Sequence, residues 1–190
     1  MVLEDSELEA ALAALPEAER EVVARLSGPR RHEMIAGRTA MHALFEGDHP
    51  VLSNPRGAPV VPAGFSGSIS HKLARAVALL GDASEGHLGV DLERMAPTKI
   101  DIARRILTRR EQVVAGAEIL RVFAIKEAIY KAIDPIVQRY VGFQEVEVVV
   151  GSNGTVDVVV VDAMKLPVVI EAWWTEADHH WLATARAKRL

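Results

Sequence analysis

The chain has 190 residues, 49% of them hydrophobic and 25% charged, with a formal net charge of -4 and no cysteine. That is enough apolar material for the core of one large domain or of two small halves, while the acidic balance argues against a general nucleic-acid binder, which is normally basic. The missing cysteines exclude a disulfide framework, thiolate metal sites and a cysteine nucleophile, and suit a cytoplasmic protein. The N-terminal MVLEDSELEA is not a secretory signal, and no apolar run approaches the ~18–20 residues that cross a membrane.

Leu3, Leu8, Leu12, Leu15, Val22, Val23 and Leu26 recur at roughly helical spacing over residues 3–26, with Pro16 dividing two helices. Ser27-Gly28-Pro29 breaks them, and a third helix is expected from Arg30 to Phe45. Residues 46–66, rich in Gly, Pro, Asn and Asp, read as a long surface loop of the kind that is often functional. Two short strands are expected at Gly67–Ser70 and Ala74–Leu80, then a turn over Gly81–Gly86 and a buried strand over Leu88–Leu92, closed by Pro97. Ile100–Leu107 reads as a helix and Ala117–Ile133 as a stronger one, stopped by Asp134-Pro135. Strands follow near 143–150, 155–161, 166–174 and 179–185, with Asn153-Gly154 as the hairpin turn between the first two. Helices then strands, twice over, with a boundary near 82–87, predict an α+β fold with antiparallel sheet.

Four groups of residues carry chemistry. In Gly89-Val90-Asp91-Leu92-Glu93 a strand turns Asp91 and Glu93 to one side. Two carboxylates held that close repel, and a hard divalent cation such as Mg²⁺ relieves them; the plain alternative is a strand end meeting solvent. In Phe123-Ala124-Ile125-Lys126-Glu127-Ala128-Ile129-Tyr130-Lys131 the helix is apolar on two sides yet carries Lys126, Glu127 and Lys131. Here the plain alternative is a half-exposed Glu127–Lys131 pair at i,i+4. Gly67-Ser68-Ile69-Ser70-His71 could bind a phosphate, form a serine–histidine nucleophile pair, or simply end a polar strand; the Gly-x-Ser-x-Gly elbow of a hydrolase is not met. Arg30 and Arg38, eight apart on the third helix, share a face, and Arg56 stands in the long loop; clustered guanidinium groups suit phosphate, although any one of them also fits a solvated surface. There is no Walker loop and no Gly-rich dinucleotide fingerprint.

These residues resemble the 4′-phosphopantetheinyl transferase superfamily, in its longer pseudo-dimeric form and closest to the enterobactin-synthetase branch. The resemblance rests on GVDLE at 89–93 and FAIKEAIYK at 123–131, with Phe123 standing 30 residues after Glu93. SISH at 68–71, RRHEMIAGR at 30–38, RGAPVVP at 56–62 and RYVGFQEVEV at 139–148 extend it, so that it covers about residues 28–150 in order. Lys72 and Ala58 depart from the family pattern.

The resemblance implies two similar α/β halves, each a small mostly antiparallel sheet with a packed long helix, related by a pseudo-twofold. Residues 1–84 would form the 3′-phosphoadenosine side and 85–190 the Mg²⁺ and phosphate side, with the active site at their junction. Asp91, Glu93 and Glu127 would ligate Mg²⁺ beside the coenzyme A pyrophosphate. Lys126 and Lys131 would contact the phosphates, as would Ser70 and His71, with His71 near the 3′-phosphate. Arg30, Arg38 and Arg56 would hold the 3′-phosphoadenosine end. The implied reaction moves 4′-phosphopantetheine from coenzyme A to a serine of an apo acyl or peptidyl carrier protein, with Glu127, Lys131 and Asp91 catalytic. A cytoplasmic monomer serving siderophore, polyketide or nonribosomal peptide synthesis is expected, with the basic run Arg104, Arg105, Arg109 and Arg110 as a docking surface for an acidic carrier. The alternatives are a Mg²⁺-dependent phosphoesterase acting on coenzyme A or a nucleotide, and a non-catalytic coenzyme A or carrier-binding homologue.

Overall fold

A computed structural model describes residues 2, 5–73, 75–96, 100–113, 118–160 and 168–190. The expectations at Leu3, Ala74, Pro97 and Ala117, and at strand ends 161 and 166–167, lie outside the described residues. The chain divides into two compact units, Met1–Glu85 and Gly86–Leu190.

The first unit begins with α1 (Asp5–Ala14) and α2 (Glu17–Val23), separated at Pro16. Proline has no N–H to give the preceding turn, but it is tolerated at the start of the next helix. α3 (Gly28–His42) opens on extended Ser27 with Pro29 in its first turn, the position where a missing N–H costs nothing. Its Ile35 joins Leu8, Leu15 and Val23 in one apolar cluster, while Ala36 and Ala40 pack with Ala76 in another. The hairpin of β1 (Phe65–Lys72) and β2 (Arg75–Asp82) is antiparallel and pairs His71 with Ala76. Its strands are longer than the alternation around Gly67–Ser70 suggested.

The second unit lays one helix on a five-stranded sheet of order β3-β7-β6-β5-β4, with every neighbouring pair antiparallel. The strands are β3 (His87–Arg94), β4 (Val146–Val150), β5 (Thr155–Val160), β6 (Val168–Ala177) and β7 (His180–Arg189), and α4 (Ile100–Ile106) precedes α5 (Glu118–Val137). Ile125, Ile129 and Ile133 on α5 are fully buried, each contributing on the order of 1.5–3 kcal/mol. Ala183, Ala185 and Ala187, alternating along β7, are sealed in the same core. No helix of the described residues is long and apolar enough to cross a membrane.

One local expectation is corrected and another is met. α5 does not stop at Asp134-Pro135 but runs through Pro135 to Val137. Proline there removes the bond to the Lys131 carbonyl, yet Ile136 adds a further buried side chain, and Gln138, at φ 50°, closes the helix onto the Asp134 carbonyl. The hairpin turn expected at Asn153-Gly154 is found between β4 and β5. Within it Gly154 has positive φ, and the Gly151 N–H bonds the Thr155 carbonyl at 2.9 Å. A two-residue turn at Asp178-His179, both at positive φ, joins β6 to β7.

Candidate active site

β3 and α5 touch backbone to backbone at Gly89. A Cβ placed there would stand 1.9 Å from the Ala128 carbonyl oxygen, so this contact requires glycine. Asp91 and Glu93 follow on the same face of β3 and are buried, at 6% and 8% exposure. From α5, the Lys131 ammonium donates to the Val90 carbonyl at 2.8 Å and to Asp91 Oδ1 at 2.7 Å. Two of its three N–H donors are thereby used. Glu127 sits one turn earlier on α5, partly buried. Burial, and then the charges of Asp91 and Glu93, push its carboxyl above the ordinary carboxylate range, against the opposing pull of Lys131. The simple Glu127–Lys131 pair is not the pairing found, because Lys131 bonds Asp91 across the helix–strand contact instead.

Three carboxylates against one ammonium leave an excess of negative charge, which adds to burial in raising the Glu127 carboxyl. Hard oxygen donors in that state fit a hard divalent cation, and Asp91, Glu93 and Glu127 are the residues that would hold it. Among the described residues, no three or more Asp, Glu or His side chains stand together closely enough to hold a metal ion; Lys131 closes on Asp91 instead, so these carboxylates would have to draw together to take one.

Lys126 is placed elsewhere. It is 3% exposed, and its ammonium bonds Glu111 Oε2 at 2.6 Å, the Ile106 carbonyl at 2.9 Å and the Phe143 carbonyl at 2.8 Å. All three of its donors are used, which corrects the expected phosphate contact: adjacent residues on a helix diverge by ~100°, so Lys126 turns into the unit's interior while Glu127 faces β3. Glu111 in turn accepts from the Thr108 and Val148 N–H groups at 2.7 Å each. Burial lowers the Lys126 pKa, and Glu111 opposes that shift.

In the first unit, a cavity of about 340 Å³ is lined by Arg30, Arg38 and His71, with Glu33, Gly57 and Pro59 among the other walls. Arg38 is 6% exposed. Its Nη2 donates to Ser53 Oγ at 3.0 Å, and its buried Nε has no hydrogen-bond partner. Burial lowers its pKa, partly offset by the charge of Glu19. A buried guanidinium bonded only to a neutral hydroxyl is suited to an anion. His71 Nδ1 lies 3.4 Å from Glu33 Oε2, so one carboxylate shares the cavity. Ser70 is buried on the face of β1 opposite His71 and is not part of the lining, and Arg56 is an exposed loop residue whose neighbour Gly57 forms the wall instead. The structure thus gathers Arg30, Arg38 and His71, and leaves Arg56 and Ser70 outside.

Glu19, Ser53 and Glu111 were not singled out from sequence. Glu19 had a signal: Leu15, Glu19 and Val23 stand at i, i+4 and i+8, all three buried, and a carboxylate in the middle of an apolar stripe implies partners. Ser53 and Glu111 lie in irregular segments, where no periodicity marks them.

A buried guanidinium cavity and a carboxylate–lysine cluster, each on its own α+β unit, fit the class of proteins that handle phosphate groups. Comparison with known families makes this specific. The family model for the 4′-phosphopantetheinyl transferase N-terminal domain matches residues 18–81, and that for the 4′-phosphopantetheinyl transferase superfamily matches residues 87–185. The 4′-phosphopantetheinyl transferase Npt of Nocardia iowensis is 32% identical over 142 residues, covering 69% of this chain and 64% of that protein. PptT of Mycobacterium tuberculosis, likewise a 4′-phosphopantetheinyl transferase, is 30% identical over 157 residues, covering 76% of this chain and 68% of that protein. Svp of Streptomyces mobaraensis is 30% identical over 67% of this chain and 58% of its own length. The chain therefore spans about two thirds, or less, of these relatives' length. Among solved structures, the ACPS–CoA complex of Chronobacterium ammoniagenes aligns with a TM-score of 0.42 at 21% identity, over 54% of this chain and 96% of that one. The chain belongs to the 4′-phosphopantetheinyl transferase superfamily.

Proposed function

We propose that this chain transfers 4′-phosphopantetheine from coenzyme A to a serine of an apo acyl or peptidyl carrier protein, acting as a Mg²⁺-dependent monomeric enzyme. The observation that carries this reading is the cluster of Asp91, Glu93 and Glu127 closed by Lys131, on the family's two sequence motifs. The second unit is the Mg²⁺ and phosphate side, and the first, with Arg30, Arg38 and His71, the 3′-phosphoadenosine side.

The serine oxygen bonds to the β-phosphorus of coenzyme A, and the bond from that phosphorus to the bridging oxygen breaks, releasing 3′,5′-adenosine diphosphate. Mg²⁺ held by Asp91, Glu93 and Glu127 would neutralise the pyrophosphate and the charge that develops on it. Lys131 is fixed by Val90 and Asp91, with one N–H left for a phosphate oxygen. The serine proton goes to Glu127, directly or through a water. The cluster of Arg104 and Arg105 on α4, followed by Arg109 and Arg110, is exposed, which suits steering of an acidic carrier.

The test is intact-protein mass spectrometry of apo carriers after incubation with the chain, coenzyme A and Mg²⁺, alongside an EDTA control. One added phosphopantetheine, absent with EDTA, is expected. Coenzyme A hydrolysed with no carrier modified would replace this reading with a phosphoesterase. Coenzyme A bound but unchanged across carrier types would replace it with a binding protein.

A further inference from the structure

Glu19 is among the most buried side chains of the first unit, at 2% exposure, and the catalytic reading gives it no part. Its Oε1 accepts from the Val51 N–H at 2.5 Å and lies 2.8 Å from His42 Nε2. Val51 is itself fully buried, and the Val60 N–H bonds the Leu52 carbonyl at 2.8 Å, so residues 51–60 form a closed loop pinned at its start. Two residues after Val51 comes Ser53, whose Oγ is the one hydrogen-bond acceptor of Arg38. Gly57 and Pro59, further round the loop, wall the cavity that Arg38 lines.

A side chain on α2 therefore fixes the loop, and the loop fixes the guanidinium on α3. The charge of Glu19 also reaches Arg38, opposing the effect of burial on it, without a direct bond between them. Glu19 Oε2 is buried and has no hydrogen-bond partner. Leaving that one oxygen unsatisfied in the interior is costly. An arginine held in advance for an anionic ligand loses less freedom on binding.

We infer that Glu19 is the positioning residue of the phosphate-binding cavity, acting through the Val51–Ser53 loop segment to hold Arg38 ready for the ligand's phosphate. This rests on the reading that the cavity takes the 3′-phosphate of coenzyme A. The consequence is selectivity: losing the Glu19 tie erodes the preference for coenzyme A over its 3′-dephospho form and leaves binding of the dephospho form nearly unchanged.

The experiment is calorimetric, with dissociation constants for coenzyme A and 3′-dephospho-coenzyme A measured on wild type, Glu19→Ala, Glu19→Gln, Ser53→Ala and Arg38→Ala. Glu19→Ala should cut the preference about tenfold or more, the scale of a hydrogen bond to a charged group. Glu19→Gln keeps an oxygen for the Val51 N–H and should hold the preference within about threefold, because that tie carries most of the effect. If Glu19→Ala does not fold, Ser53→Ala breaks the same chain one bond later without opening the core, and should show the same loss. An unchanged preference in folded Glu19→Ala, or in Ser53→Ala, overturns the inference. An unchanged preference in Arg38→Ala overturns the phosphate reading of the cavity and this inference with it, whereas carrier transfer is tested separately by mass.

Discussion

Lys126 and Lys131 lie five residues apart on α5, and their ammonium groups end in different surroundings. Lys126 closes a buried network with Glu111, Ile106 and Phe143. Removing one partner of such a pair leaves the other charge buried alone, so Lys126→Met should cost about 3–5 kcal/mol of unfolding free energy. Adding Glu111→Gln should recover part of that loss, and denaturant titration of the two variants checks it. Glu127 behaves differently, because its carboxyl is raised by burial and by Asp91 and Glu93. In the metal-free protein it keeps a proton that the unfolded chain has already released. Stability therefore falls as pH climbs from the ordinary carboxylate value to the raised one, and the full penalty stands above it. Glu127→Gln has no such slope, so its melting temperature relative to wild type should rise through that window and then level off. The same variant should lose carrier transfer. A melting difference that is flat with pH would remove the electrostatic conflict placed at this residue.

At the scale of elements, the site depends on how closely α5 lies on β3. The carbonyl of Ala128 occupies the space a side chain at position 89 would need. Gly89→Ala must push helix from strand or bend one of them, and overpacking of this kind typically costs 1–3 kcal/mol, with backbone contact at the upper end. An expected loss of about 3 kcal/mol in chemical denaturation, with transfer lost although every charged residue remains, would show that the approach positions Lys131 against Asp91. Much of this was legible beforehand. Alternation on β3 put Asp91 and Glu93 on one side, and an all-round apolar helix announced a buried α5. What was not legible is which neighbour each lysine meets, because that depends on segments 106–111 and 143–148, whose pairing with α5 leaves no period in the sequence. The end of α5 was misplaced for a related reason: Pro135 signals a stop locally, but tertiary burial of Ile136 carries the helix past it.

Across the whole molecule, the two units differ in what they show from sequence alone. The second unit's motifs are compact and its site forms where they meet. The first unit's cavity draws on α3, the 46–64 loop and β1, of which only the arginine spacing and SISH stood out, and Glu19 and Ser53 did not. Each unit nonetheless holds groups a ligand could satisfy: carboxylates in excess of Lys131 in one, and a buried Arg38 Nε without a hydrogen-bond partner in the other. Ligands that satisfy these groups bind the folded chain and not the unfolded one, so they must raise stability by mass action. Mg²⁺ and coenzyme A should each raise the melting temperature, and at a hundred times its dissociation constant either would add about 2.7 kcal/mol. If Mg²⁺ sits at the carboxylates, Asp91→Asn should abolish its stabilising effect while a coenzyme A effect through Arg38 survives in part. Arg38→Ala should give the reverse pattern. Mg²⁺ stabilisation that persists in Asp91→Asn would place the ion elsewhere and remove the main support for a metal-assisted transfer.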